Sequence, residues 1–322
     1  MPEEVTFFQH AHIRTVPMPD VLRLRAKSGL LILDGKMADS PPAPAFRRLG
    51  PDLAVSPVLL SVPHAGRLYS DSLIKAARVP LARLETLEDR LVDRLVWRAV
   101  DSGSVAIVAE APRAEIDLNR DERELDPGMI VPRPDASAIV DSPRTRGGLG
   151  LVPARMSGAG PIWRERIPAA DIARRIDKIH RPYHAALAKE LAALRARFGV
   201  AILLDCHSMP PRSDGRQAQI VLGDRHGCSM APALVAAAEQ AVRAAGFSVA
   251  RNAPYAGGHI TARHGRPAAG IHALQLEIDR GLYLGPDLRT PGPGFDRVSA
   301  LVAAIVDALA TQARAPAAVA AE

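Results

Sequence analysis

The sequence predicts a single α/β domain with a mostly parallel central sheet and helices on both of its faces. Three observations predict it. Apolar runs of strand length recur at residues 58–62, 105–109, 201–205, 219–222 and 274–277. Stretches with apolar residues three to four apart stand among them, and strands alternating with helices argue for a parallel sheet covered on both sides. Two runs lead into a histidine, His64 after Val62-Pro63 and His207 after Asp205-Cys206. Open sheets of this class hold their ligands beyond the carboxyl ends of the strands, so two imidazoles delivered there point to a metal-binding edge.

Residues 1–50 mix short apolar pieces with Pro17, Pro19 and Pro41-Pro42-Ala43-Pro44. That proline run excludes helix or central strand, so the segment reads as an N-terminal extension wrapped on the core. Residues 51–313 read as one catalytic domain, since a single α/β domain with a long insertion reaches this length. Within 81–100, Leu84, Leu87, Leu91, Leu95 and Val96 predict one amphipathic helix whose polar face carries Asp89 and Asp93. The strand at 105–109 leads into Arg113 to Arg120. Residues 121–168 then hold many Pro and Gly without periodicity, too long for an idle connection, and form a candidate active-site cover. Residues 169–197 predict a long helix interrupted at Pro182, with His184 just past the break. Further helices are expected near 231–245 and 295–313, before a flexible tail over 314–322.

Composition excludes several classes of function. The chain is 48% hydrophobic and 24% charged, as in ordinary globular proteins, and no apolar stretch is long enough to span a bilayer. No membrane association is expected. The net charge of +6 comes from arginines spread along the chain, and with only 4% aromatics no basic block is interleaved with stacking residues. Nucleic acid is therefore not an expected partner. The first residues lack a secretory signal, and two cysteines, Cys206 and Cys228, make no disulfide framework, so a cytoplasmic location is expected.

Neutral imidazole is the commonest metal ligand, and a catalytic zinc ion takes three protein ligands while leaving a position open. His64 and His207 supply two. Asp89 is favoured as the third, while Asp205, two residues before His207 on one strand face, competes either as ligand or as the group that orients an imidazole. Glu277 closes another apolar run, where a carboxylate near zinc-activated water has the general acid/base role. Arg113, Asn119 and Arg120 follow a further strand, and paired guanidinium groups suit an acidic substrate or a developing oxyanion. The glycine-led turn Gly257-Gly258-His259-Ile260-Thr261 lets backbone approach a ligand. Rival readings are a metal-free hydrolase using Ser208 or Cys206 beside His207 and a non-catalytic ligand-binding protein. Against the first, neighbours on a strand point to opposite faces and no GxSxG elbow is present.

Six blocks together resemble the N-formylglutamate amidohydrolase family: Ser61-Val62-Pro63-His64-Ala65-Gly66, Ile116-Asp117-Leu118-Asn119-Arg120, Arg181-Pro182-Tyr183-His184, Asp205-Cys206-His207-Ser208-Met209, Gly257 to Thr261, and Leu274-Gln275-Leu276-Glu277. The resemblance covers about residues 55 to 290. It implies a fold like that of the zinc carboxypeptidases and phosphorylase/hydrolase-like enzymes, one zinc ion per chain, and cleavage of the formamide of N-formyl-L-glutamate, a step of histidine degradation. Residue by residue it implies metal ligation by His64, a carboxylate that we assign to Asp89, and His207, an Asn119-Arg120 pair for a carboxylate of a small acidic acyl-amino acid, and Glu277 as base; to these we add Arg113 as the first candidate for the oxyanion and His184 and His259 as further substrate-binding candidates. The alternative is the same chemistry on another N-acyl amino acid or small peptide.

Overall fold

The computed structural model describes residues 44–156, 158, 160–211 and 218–315. Its centre is a seven-stranded sheet made of β1 (Phe46–Leu49), β2 (Val58–Val62), β3 (Val105–Ala109), β4 (Ala201–Met209), β5 (Ile220–Gly223), β6 (Val249–Arg251) and β7 (Ile271–Asp279), in spatial order β1-β3-β2-β4-β7-β5-β6. The four pairings β2–β3, β2–β4, β4–β7 and β5–β6 are parallel, whereas β1–β3 and β5–β7 are antiparallel. The expected mostly parallel sheet is thus what forms.

The interior strands β2, β3, β4 and β5 are buried along their whole length, because sheets covered on both faces need apolar side chains on both. Alternation assigns those side chains to two cores. Leu60, Ile202, Leu204, Leu274 and Leu276 pack against α3 (Pro232–Ala244) and α5 (Phe295–Arg314), while Leu59, Ile107, Leu203 and Ala273 face α2 (Arg181–Phe198). Odd-numbered residues of β4 and β7 therefore look toward α2. That face carries the polar residues Asp205, His207, Gln275 and Glu277 at the carboxyl half of the strands.

Four sequence expectations need correction. The single helix over 81–100 does not form. Short helical turns at Leu81–Leu84 and Glu85–Leu87 stop at Glu88, which is extended, and helix resumes at Val92–Leu95 only after Leu91 adopts a left-handed conformation with φ 62°. Apolar spacing survives the break because Leu84, Leu91, Leu95 and Val96 are buried all the same. The long helix around Pro182 is not cut either. It runs as α1 (Ala169–Arg175), a π-helical turn at Ile176–His180, and α2, with the Arg181 amide bonded to Ile176 O, five residues back. The wide turn absorbs the ring that an α-helical interior would reject. Finally, residues 46–49 of the expected extension are an edge strand of the sheet, and α5 continues to Arg314, into the expected tail. Residues 1–43 and 316–322 lie outside the described residues.

The 121–168 segment packs Met129, Ile130, Val152, Ile162 and Trp163 into an apolar cluster shared with Leu73, Ala77, Leu84 and Ile172. It is tied to the rest of the domain by backbone bonds from Asp117 N to Leu151 O, from Arg78 N to Ile162 O and from Arg164 N to Ala76 O.

Candidate metal centre and active site

His64 sits two residues past β2, and the break before Val92 brings Asp89 to it, the Asp89 amide donating to His64 O at 2.9 Å. Register then aligns the partners across the sheet: Ser61 pairs with Asp205, Gln275 with Asp205, and Glu277 with His207. Asp89 Oδ2 lies 3.2 Å from His64 Nδ1 and 3.0 Å from His207 Nδ1, and the two Nδ1 atoms are 3.1 Å apart. Three ligand atoms around a tetrahedral ion with bonds of 2.0 to 2.1 Å stand roughly 3.3 Å apart, so this triangle fits a zinc-sized ion with little adjustment. All three side chains are buried.

The second nitrogen of each imidazole is bound to a carboxylate. His64 Nε2 meets Asp117 Oδ1 at 2.7 Å, and His207 Nε2 meets Asp205 Oδ2 at 2.8 Å. Such partners fix the tautomer and aim the other nitrogen at the ion. Of the two competing aspartates, Asp89 completes the triangle and Asp205 stands behind His207 at Nε2. Asp205 is held by Ser61 Oγ at 2.8 Å, which also bonds the Tyr183 hydroxyl at 2.9 Å. Asp117 was not singled out by sequence reasoning; its place inside the Ile116–Arg120 block was the available signal.

Electrostatics agree with this layout. Burial opposes ionisation of Asp89, but hydrogen bonds from His207 and His64 hold its carboxyl well below the usual range. Burial likewise opposes charge on His207, yet Asp205 and Asp89 hold its pKa well above the ordinary imidazole value. With carboxylates at both nitrogens the ring keeps its two protons, and a divalent ion would replace the one on Nδ1. Asp117 stays ionised despite burial, with the Arg113 guanidinium the leading cause. The free carboxylate oxygen of the triad, Asp89 Oδ1, accepts from Arg280 Nη2 at 3.0 Å and Ser208 Oγ at 3.3 Å.

Glu277 is buried beside His207, accepts from Gln275 Nε2 at 2.8 Å, and burial pushes its pKa up to about 7. Arg280 is engaged with Asp89 and with Glu88 O, so no salt bridge to it explains Glu277. Arg113 donates Nε to Asp117 Oδ2 at 2.9 Å; burial opposes its charge, but Asp117, Asp89 and Glu277 outweigh that and raise its pKa. Its guanidinium thus lies in the field of the triad and of Glu277.

Asn119 and Arg120 are deeply built into the loop. The Asn119 amide oxygen accepts from Ile260 N at 2.8 Å, and its Nδ2 lies 3.2 Å from His207 Nε2. Gly258 permits this, since a Cβ there would run into the Asn119 side chain. Arg120 donates Nε to Leu149 O at 2.8 Å and Nη1 to Asn119 O at 2.7 Å, leaving Nη2 3.7 Å from Asp117. His184 and His259 do not join the triad. They stand with His180 in a second group of imidazoles. The rival nucleophile Cys206 lies in the apolar core on the opposite sheet face from His207, where burial drives its thiol pKa up, so it has no access to that ring.

A family model described as N-formylglutamate amidohydrolase matches residues 56–284. The N-formylglutamate deformylase of Pseudomonas putida is 35% identical over 237 residues, covering 71% of this chain and 82% of that protein. Its Pseudomonas aeruginosa counterpart is 34% identical over 235 residues with the same coverage. Among solved structures, an N-formylglutamate amidohydrolase from Ralstonia eutropha matches with TM-score 0.78 and 33% identity over 84% of this chain and 98% of its own. A gene product of Agrobacterium tumefaciens, at 18% identity and TM-score 0.56 over 80% of this chain and 91% of its own, shares the fold.

Proposed function

This chain belongs to the N-formylglutamate amidohydrolase family, and on that premise we propose that it hydrolyses N-formyl-L-glutamate to formate and L-glutamate with one zinc ion held by His64, Asp89 and His207. The observation that carries the reading is the triangle of Nδ1, Nδ1 and Oδ2 atoms, 3.0 to 3.2 Å on a side, with each imidazole oriented by its own carboxylate. Bound to such a donor set, zinc supplies Lewis-acid polarisation of the formyl oxygen and acidifies water toward a pKa of about 7.

The protein's own groups do the rest. Glu277, on the same sheet face as His207 and with a pKa near neutrality, takes a proton from water as its oxygen attacks the formyl carbon. It then passes that proton to the departing glutamate nitrogen, so the C–N bond breaks as a neutral amine leaves. Arg113 steadies the negative charge that builds on the formyl oxygen. Arg120, through Nη2, and Asn119 are the groups offered to a substrate carboxylate. Burial of the triad and of Glu277 keeps bulk water from competing for these contacts.

A substrate panel with metal analysis tests this reading. Purified protein should hold about one zinc at this centre and release formate from N-formylglutamate faster than acetate from N-acetylglutamate. No turnover of any formyl or acetyl amino acid by the zinc-loaded protein would sink it.

A further inference from the structure

We propose that His180, His184 and His259 form a second binding site for a divalent transition metal ion, separate from the His64–Asp89–His207 centre. One nitrogen from each of the three lies within 4.8 Å of the others. Their ring centroids are 4.4 Å (His180–His184), 5.3 Å (His184–His259) and 5.9 Å (His180–His259) apart.

Hydrogen bonding fixes which nitrogens are available. His180 Nε2 lies 2.9 Å from Arg120 O and His184 Nε2 lies 3.0 Å from Leu118 O. A carbonyl oxygen only accepts, so both Nε2 atoms carry hydrogen and both Nδ1 atoms carry lone pairs. This is how metal-ligating histidines are ordinarily set up, with the far nitrogen donated to a backbone carbonyl. Two nitrogens are left over: His180 Nδ1, on a fully buried ring, and His259 Nε2 are both buried with no hydrogen-bond partner. Buried polar atoms without partners are rare, and an ion between the rings satisfies both. His184 Nδ1 is occupied by His264 Nε2 at 3.0 Å, so metal binding exchanges that hydrogen bond for a coordinate one.

Protonation and local fold favour the same use. Burial lowers the pKa of His180 and His184, and brings that of His259 down to about 4, so the rings are neutral at pH 7, the form that ligates. Nearby charge is mixed: the Arg263 guanidinium opposes an added cation, while Glu122, whose Oε1 is 3.6 Å from His180 Nδ1, and Asp121, 4.0 Å from His259 Nδ1, oppose Arg263. The Glu122 carboxylate, itself paired with Arg181, borders the group on the His180 side. The π-turn at Ile176–His180 ends on the first ligand, His184 follows one turn later, and His259 opens α4 (His259–His264). An ion there clips α2 to α4 and, through the Leu118 and Arg120 carbonyls, braces the loop whose Asp117 orients His64.

Zinc stoichiometry after equilibration with excess zinc and gel filtration is the test, with cobalt(II) absorption as a second readout. Wild type should carry two zinc ions per chain, His64→Ala/His207→Ala one, and His259→Gln one. In the His64→Ala/His207→Ala protein, zinc should raise Tm and a chelator should reverse the rise. One zinc in wild type that survives His64→Ala/His207→Ala and is lost in His259→Gln would support this site while removing the other. A His64→Ala/His207→Ala protein with native circular dichroism that binds no zinc and shows no zinc-dependent Tm overturns the proposal, as does retention of two zinc ions in His259→Gln.

Discussion

Asp117 accepts a 2.7 Å hydrogen bond from His64 Nε2, and that single contact turns Nδ1 toward the oxygen of Asp89 that also meets His207. His207 repeats the arrangement with Asp205 at 2.8 Å. The two carboxylates come from different elements, Asp205 from β4 and Asp117 from the loop after β3, yet they do the same work. Arg113 and Arg120 in turn keep Asp117 charged against the cost of its burial.

Asp117→Asn should therefore keep the fold and lower zinc affinity at the triad by roughly 10- to 100-fold, the usual effect of removing a carboxylate behind a metal-bound imidazole. Competition with a chromophoric chelator measures it. Wild-type affinity in this variant would show that Asp117 serves Arg113 alone.

Asp89 and Asp205 should separate in the same assay. Asp89→Ala removes a ligand atom and should abolish metal binding at the triad, whereas Asp205→Asn should bind zinc with weakened affinity. The reverse order would mean that the ion sits on the other side of His207.

These two aspartates also mark how far the sequence could be read. The sheet was legible because strands buried on both faces appear as unbroken apolar runs, and β3 matches the expected bounds to the residue. The edge strand Phe46-Arg47-Arg48-Leu49 was not, since an edge needs no such run and prolines precede it. Asp89 was favoured as a ligand but placed on a helix; apolar periodicity is blind to the break that delivers it, because the same leucines are buried either way. Asp117 stands four residues from Arg113 and 53 from His64, so the partner that gives it its place is remote and leaves no local signal. The second group of imidazoles, with His264 bonded to His184, likewise joins segments 80 residues apart, and no spacing rule signals it.

Glu277→Gln should retain its metal and lose about two to four decades of kcat, the usual worth of a positioned acid/base group. The acid limb of the wild-type kcat/KM profile should fall at or below about pH 7, because burial raises the free carboxyl to about 7 and a bound cation can only draw it down. An active Glu277→Gln protein with that limb intact would exclude the role.

Acid should weaken the fold through the neutral histidines. His264 and His259 have pKa values lowered to about 3 and about 4, burial being the leading cause, against about 6.5 in an unfolded chain. Between those limits the unfolded state binds more protons, so stability is full above about pH 6.5 and is lost as pH falls toward 4. Urea midpoints of the metal-free protein should drop over that window. His264→Gln should flatten the slope by up to one proton; an unchanged slope would mean that His264 is as easily protonated in the folded state as in the unfolded one.

Arg113 and Arg120 should fail differently, because the loop holds them differently. Arg113 spends one nitrogen on Asp117 and lies in the field of Asp89 and Glu277, where charge develops as the formyl carbon is attacked. Arg113→Ala should mainly lower kcat, since it removes a contact made in the transition state. Arg120 is committed through Nε and Nη1 to the carbonyls of Leu149 and Asn119, so Arg120→Ala also strands two acceptors, and Arg120→Lys is the cleaner probe. If Nη2 of Arg120 holds a carboxylate in ground and transition states alike, Arg120→Lys should mainly raise KM. A hydrogen bond to a charged group contributes on the order of 1.5 to 3 kcal/mol, so loss of one such contact should reduce kcat/KM by roughly 10- to 150-fold. N-formylglutamine and N-formylalanine should fall by a similar factor against N-formylglutamate in the wild type. Equal kcat/KM for all three would mean that neither arginine reads the side-chain carboxylate, and the substrate would then be a broader class of N-formyl amino acids.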